Sequence, residues 1–175
     1  MTLSSAHREE NAVLELFKKV QAIFKPASTQ NGKPKVLDPI EILKESHYAL
    51  CSLAGQINSH AERAPYPHVA QQLRQIAAEK RLSANLLRDK ILSLAERLED
   101  TPSDIKSGKN HWERMVQDLR DQKALENGFL ERAALLDEQA PELAELLRDL
   151  VVSQRSHKET LLDLITRADP QAEQT

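Results

Sequence analysis

Apolar residues recur at helical spacing in five stretches of this chain, separated by proline, glycine and short polar runs. Ser4 or Ser5 caps a first predicted helix reaching about Lys25, with a stripe of Val13, Leu16, Phe17, Val20, Ile23 and Phe24. Pro26 ends it, and PASTQNGKPKVLD reads as a linker. Asp38 is placed to cap a second helix, Pro39 standing in the first turn where its missing N–H costs little. That helix is expected to end near Arg63. Pro67 opens a third, to about Leu98. A fourth runs from about Asn110 to Glu138, and Pro141 opens the last, ending near Arg167. The domain plan is therefore an N-terminal helix and linker over 1–37, a bundle over 38–169 and a tail over 170–175. Hairpins of about 39–98 and 109–167 make up the bundle, each turning at a proline.

Within the bundle the sequence repeats itself at an offset of 74 residues. Pro67, Ala70, Leu73, Arg74, Arg81, Leu87, Asp89 and Ile91 recur as Pro141, Ala144, Leu147, Arg148, Arg155, Leu161, Asp163 and Ile165. A duplicated helix implies two related hairpins packed together. The stripes add a second regularity. Ile40, Leu43, His47, Leu50, Ala54, Ile57 and Ala61 line the second helix. Val69, Leu73, Ile76, Lys80, Ser83/Ala84, Leu87, Ile91 and Leu94 line the third. The fourth presents Trp112, Met115/Val116, Leu119, Gln122/Lys123, Glu126, Phe129, Ala133 and Leu136. The last presents Leu143, Leu147, Leu150, Gln154, His157, Leu161 and Ile165. All four are apolar at both ends and polar near the middle.

Composition narrows the class. Aromatic residues are 3 % of the chain and glycines number four, while good helix formers dominate, so the fold is all-α. A net charge of −3 with both signs interspersed gives no nucleic-acid surface. The single cysteine, Cys51, excludes an internal disulfide and fits a reducing compartment. No signal peptide or membrane span is read in the sequence, so a cytoplasmic protein is the expectation.

Two hairpins whose polar residues meet halfway along the core resemble the ferritin and rubrerythrin superfamily. The resemblance spans about residues 39–167 and implies a ferritin-like four-helix bundle, joined here to an N-terminal amphipathic helix. It also implies a di-iron site, to which each hairpin gives a Glu from its first helix and a Glu-x-x-His from its second. Gln154-Arg155-Ser156-His157 stands where the second Glu-x-x-His falls, and its repeat partner is Lys80-Arg81-Leu82-Ser83. Leu161-Leu162-Asp163-Leu164-Ile165 then resembles the tail of such a ligand helix.

The candidate central layer is therefore His47, Lys80, Glu126, Gln154 and His157. Its weak metal candidates are His47, Asp121 (the repeat partner of His47), Glu126 and His157. A di-iron centre needs about six ligands, mostly carboxylate, and an ammonium among them repels Fe²⁺. The expectation is a bundle that has lost its metal pair, with Lys80 paired to Glu126, since buried charges require partners. No cofactor is expected, and iron would require a different alignment of the ligand positions. The plainer reading has Lys80 snorkelling to solvent, His47 as a core histidine and His157 on a solvated face.

Three functional classes follow. The favoured one is a non-enzymatic interaction or scaffold protein with no catalytic residue, homodimeric through an exposed bundle face or the N-terminal helix. The others are a rubrerythrin-type di-iron oxidase or peroxide-handling protein, and a bundle binding a small ligand with Lys80 and His157 as anchors. Cys51 is expected to be a buried, inert thiol, a nucleophilic pairing with His47 being the minor alternative. His7, His60, His68 and His111 are expected at the surface. The connection between hairpins stays open. Glu99–Lys109 extended reaches roughly 37 Å against roughly 42 Å for a helix of about 28 residues, so a lengthwise crossover and a plain up-down-up-down bundle both remain.

Overall fold

The computed structural model describes residues 38–94, 96–98, 105–106 and 108–168. The expected N-terminal helix, the linker up to residue 37, His7 and the C-terminal tail lie outside the described residues. Four helices follow in order: α1 (Pro39–Glu62), α2 (Pro67–Ser93), α3 (His111–Leu136) and α4 (Pro141–Arg167). Asp38 caps α1, its side chain accepting from the Ile40 N–H at 2.9 Å, and Asn110 caps α3 by accepting from Glu113. Both α2 and α4 begin on proline and run 27 residues, their starts displaced by the repeat offset of 74. The duplication is visible in the helices themselves.

The hairpins are α1–α2 and α3–α4, and α1 packs beside α3 while α2 packs beside α4. The end of α1 meets the start of α3: Gln56 and His60 both bond Asp118, and Arg114 reaches the Arg63 carbonyl at 3.4 Å. The connection from α2 to α3 therefore travels the length of the bundle. At one end Glu96 pairs with Lys44 near the start of α1; at the other, Lys106 bonds Gln56 and His60 near its end. α2 stops at Ser93 instead of Leu98, its last turn closing through Leu94 N–H to Ile91, while Leu98 folds back on the core. That early stop lengthens the connection enough to settle the open choice for the crossover.

The core is aliphatic. Leu43, Leu50, Ile57, Leu73, Leu87, Ile91, Met115, Phe129, Leu136, Leu147 and Leu161 are all closed to solvent. Burying each such side chain contributes roughly 1.5–3 kcal/mol, and this stripe of large residues holds the polar centre in place. Among the described residues no helix is long and apolar enough to cross a membrane.

Candidate functional site

Halfway along the bundle the aliphatic core gives way to Lys80, Gln122, Gln154 and His157, with Glu126 and Ser83 at its margin, all buried. Lys80 is 0 % exposed. It does not snorkel, for it shares the inner face of α2 with the buried Ile76 and Leu87. Its ammonium donates to Gln122 Oε1, to Gln154 Oε1 at 2.6 Å and to His157 Nδ1 at 3.4 Å. Three protons thus meet three acceptors. Lys80 and Gln154 are also partners in the 74-residue repeat, so equivalent positions of the two halves meet directly.

The second ring of bonds fixes these acceptors. Gln122 Nε2 donates to Glu126 Oε1 (2.9 Å) and to the Gln154 carbonyl (3.2 Å), and Gln154 Nε2 donates to Ser83 Oγ. His157 Nε2 lies 2.7 Å from Glu79 Oε2. A carboxylate only accepts, so Nε2 carries the imidazole proton and Nδ1 is free to accept from Lys80. Burial pulls the Lys80 ammonium down to about 7, against the opposing pull of the Glu126, Asp118 and Glu79 carboxylates. Burial, and then the charge of Lys80, also lower His157, while the hydrogen bond from His157 holds Glu79 below the usual carboxylate range.

Of the five residues expected in the layer, Lys80, Glu126, Gln154 and His157 share this network and His47 does not. His47 is half-buried at the α1–α2 edge, bonding the Ala84 carbonyl at 2.9 Å. Lys80 and Glu126 are linked through Gln122, not directly. The cation on Glu126 is Lys158 at 3.0 Å, because Glu126 sits at the layer's rim within reach of α4 while Gln122 stands between it and Lys80. Asp121 lies nearer the end of the bundle, bonded by Gln56, Gln117 and Lys106. Burial pushes its carboxyl up, but those three hydrogen bonds outweigh burial and leave it low.

The expectation of surface histidines at 60 and 111 is wrong, for both are 1 % exposed. His60 forms a second polar centre. Its Nδ1 lies 2.9 Å from both Asp118 oxygens and its Nε2 3.0 Å from the Lys106 carbonyl. The ring is held between the Asp118 carboxylate, itself 0 % exposed, and the Lys106 carbonyl. Gln56 completes it, donating to Asp118 and accepting from the Lys106 N–H. The signal was present in sequence as Gln56 and His60 at i, i+4 opposite Asp118 and Asp121 at i, i+3. Cys51, expected buried, is exposed on the outer side of α1. A cavity of about 260 Å³ between α1 and α3 is lined by Ser52, Gln56, Lys106, Asp121 and Arg132, and neither Lys80 nor His157 reaches it.

Solved structures share this fold. A Mycobacterium tuberculosis bacterioferritin superposes with a TM-score of 0.68 at 19 % identity, covering 83 % of this chain and 92 % of its own. The Rhodobacter capsulatus bacterioferritin, solved with a metal-free dinuclear site and haem iron, gives 0.68 at 19 % over 83 % and 92 %. A mycobacterial bacterioferritin gives 0.67 at 18 % over 83 % and 91 %. The fold is ferritin-like. No family model and no curated protein matches the sequence itself.

The ferritin-like fold raises the question whether a dinuclear metal centre fits between these helices. Among the described residues no three His, Cys, Asp or Glu side chains converge. The layer offers one imidazole and two carboxylates at its edge, Glu126 already bound to Lys158 and Glu79 to His157, around a buried amine. The two amide oxygens are neutral and bring no charge to balance two iron ions. The donor set does not fit a di-iron centre.

Proposed function

We propose that this chain is a ferritin-like bundle whose metal chemistry has been replaced by an internal ammonium, and that it serves as a non-catalytic interaction or scaffold protein. The observation that carries this reading is Lys80 of α2, fully buried between α3 and α4, with its donors met by Gln122, Gln154 and His157. A tethered cation stabilises the facing acceptors without an exchangeable ion. It also closes the centre to substrate. Leu82, Leu86, Leu130, Leu135 and Val152 remain exposed and supply apolar surface for association, in a cytoplasmic homodimer or with another protein.

Iron binding is the second reading. The likeness to bacterioferritins favours it, with His157 and Glu126 as the surviving donors. Aerobic oxidation of Fe²⁺ separates the two. The scaffold reading expects no rate above that of buffer, together with a dimer mass by light scattering. Turnover of Fe²⁺ by the wild-type chain would overturn the non-catalytic role, and a monomer at micromolar concentration would remove self-association.

A further inference from the structure

Away from the Lys80 network, a thiol and an imidazole face one another on the outer side of the α1–α2 hairpin. Cys51 Sγ lies 3.5 Å from His47 Nε2, one helical turn along α1. His47 Nδ1 is 2.9 Å from the Ala84 carbonyl of α2. A carbonyl only accepts, so Nδ1 holds the ring proton and Nε2 presents its lone pair to the thiol. Nucleophile, base and orienting group stand in the order that activates a thiol.

The surroundings carry a charge preference. Arg81 acts electrostatically on Cys51, and Arg74, Arg81 and Arg88 recur at seven-residue spacing on one exposed face of α2. Such a strip attracts anions and repels cations. Partial burial pushes the thiol up, with Arg81 opposing. At neutral pH the proton therefore sits on sulfur, and attack needs a base to receive it.

We propose that Cys51 is a histidine-activated modification site that takes small anionic disulfides by thiol–disulfide exchange. The Cys51 proton passes to His47 Nε2. The thiolate then attacks one sulfur of the incoming disulfide, forming a new S–S bond as the old one breaks. The electron pair leaves on the second sulfur, which takes the proton back from His47. One disulfide and one thiol enter, and one mixed disulfide and one thiol leave. The site stands whether or not the bundle holds metal.

Stopped-flow rates with dithiobis(nitrobenzoate), an anionic disulfide, and cystamine, a cationic one, test this on the folded full chain. Cys51→Ser provides the blank. His47→Gln should slow the anionic probe about tenfold. Arg81→Gln, or added salt, should lower the ratio of anionic to cationic rate. A His47→Gln rate within twofold of wild type would overturn activation by His47, and an unchanged ratio in Arg81→Gln would overturn the anionic preference. Should His47→Gln not fold, the wild-type pH profile decides. A rate inflection below the thiol's own titration is expected, and a single inflection at that titration would contradict the proposal.

Discussion

Asp118→Ala is expected to cost the bundle about 3–5 kcal/mol, since two buried hydrogen-bonding groups lose their shared acceptor. Asp118 accepts from His60 and Gln56, and all three side chains are closed to water. Removing the carboxylate leaves the buried His60 Nδ1 without its partner and the Gln56 amide without one of its two acceptors. The damage reaches further, since the same His60 and Gln56 hold the Lys106 backbone and with it the far end of the crossover. Urea denaturation of the variant beside wild type measures the loss. A shift below about 1 kcal/mol, closer to a surface substitution, would mean that the pair is open to solvent.

Lys80→Ala should destabilise by about 2–4 kcal/mol at alkaline pH, through a cavity and the loss of the amine's N–H donors to its buried acceptors. Its dependence on pH is the more telling part. The Lys80 ammonium sits at about 7 in the folded chain against 10.5 when solvated. Between those values the unfolded chain binds more protons, so this group makes stability rise with pH from about 7 towards 10.5 and leaves it flat below. Removing Lys80 abolishes that rise. The deficit of Lys80→Ala should therefore grow by up to a few kcal/mol from pH 7 to pH 10, while near pH 6 relief of the buried charge offsets part of it. Guanidinium midpoints across that range, each variant against wild type at the same pH, provide the check. A pH-independent difference within about 0.5 kcal/mol would place Lys80 in solvent.

The framework was legible because it is written in local signals. Pro67 and Pro141 mark helix starts that any helix must respect, Asp38 is a side-chain cap, and the 74-residue repeat tied the two hairpins together. The ferritin-like arrangement came from the resemblance carried by the polar residues halfway along the stripes, and it agrees with the bacterioferritin likeness. The crossover was harder, because its length depends on where α2 ends. That end is set by Glu96 pairing with Lys44 and Leu98 returning to the core, neither of which propensity records.

The polar residues were legible only in part. A stripe shows which residues face inward but not which neighbours they meet. Glu126 falls on the inner stripe of α3, yet its cation is Lys158 because Gln122 stands between it and Lys80. His47 falls on the stripe of α1 but towards α2, where the Ala84 carbonyl takes it. His60 looked exposed because it stands near a helix end, and the crossover that buries it comes from residues far along the chain. Cys51 looked buried beside Leu50, but one step around the helix carries it outside.

The measurement that tests the central claim most directly is the iron content of the wild-type chain after anaerobic loading with excess Fe²⁺ and removal of unbound metal. A centre filled by the Lys80 ammonium predicts no stoichiometric iron. Two iron atoms retained per chain would contradict it.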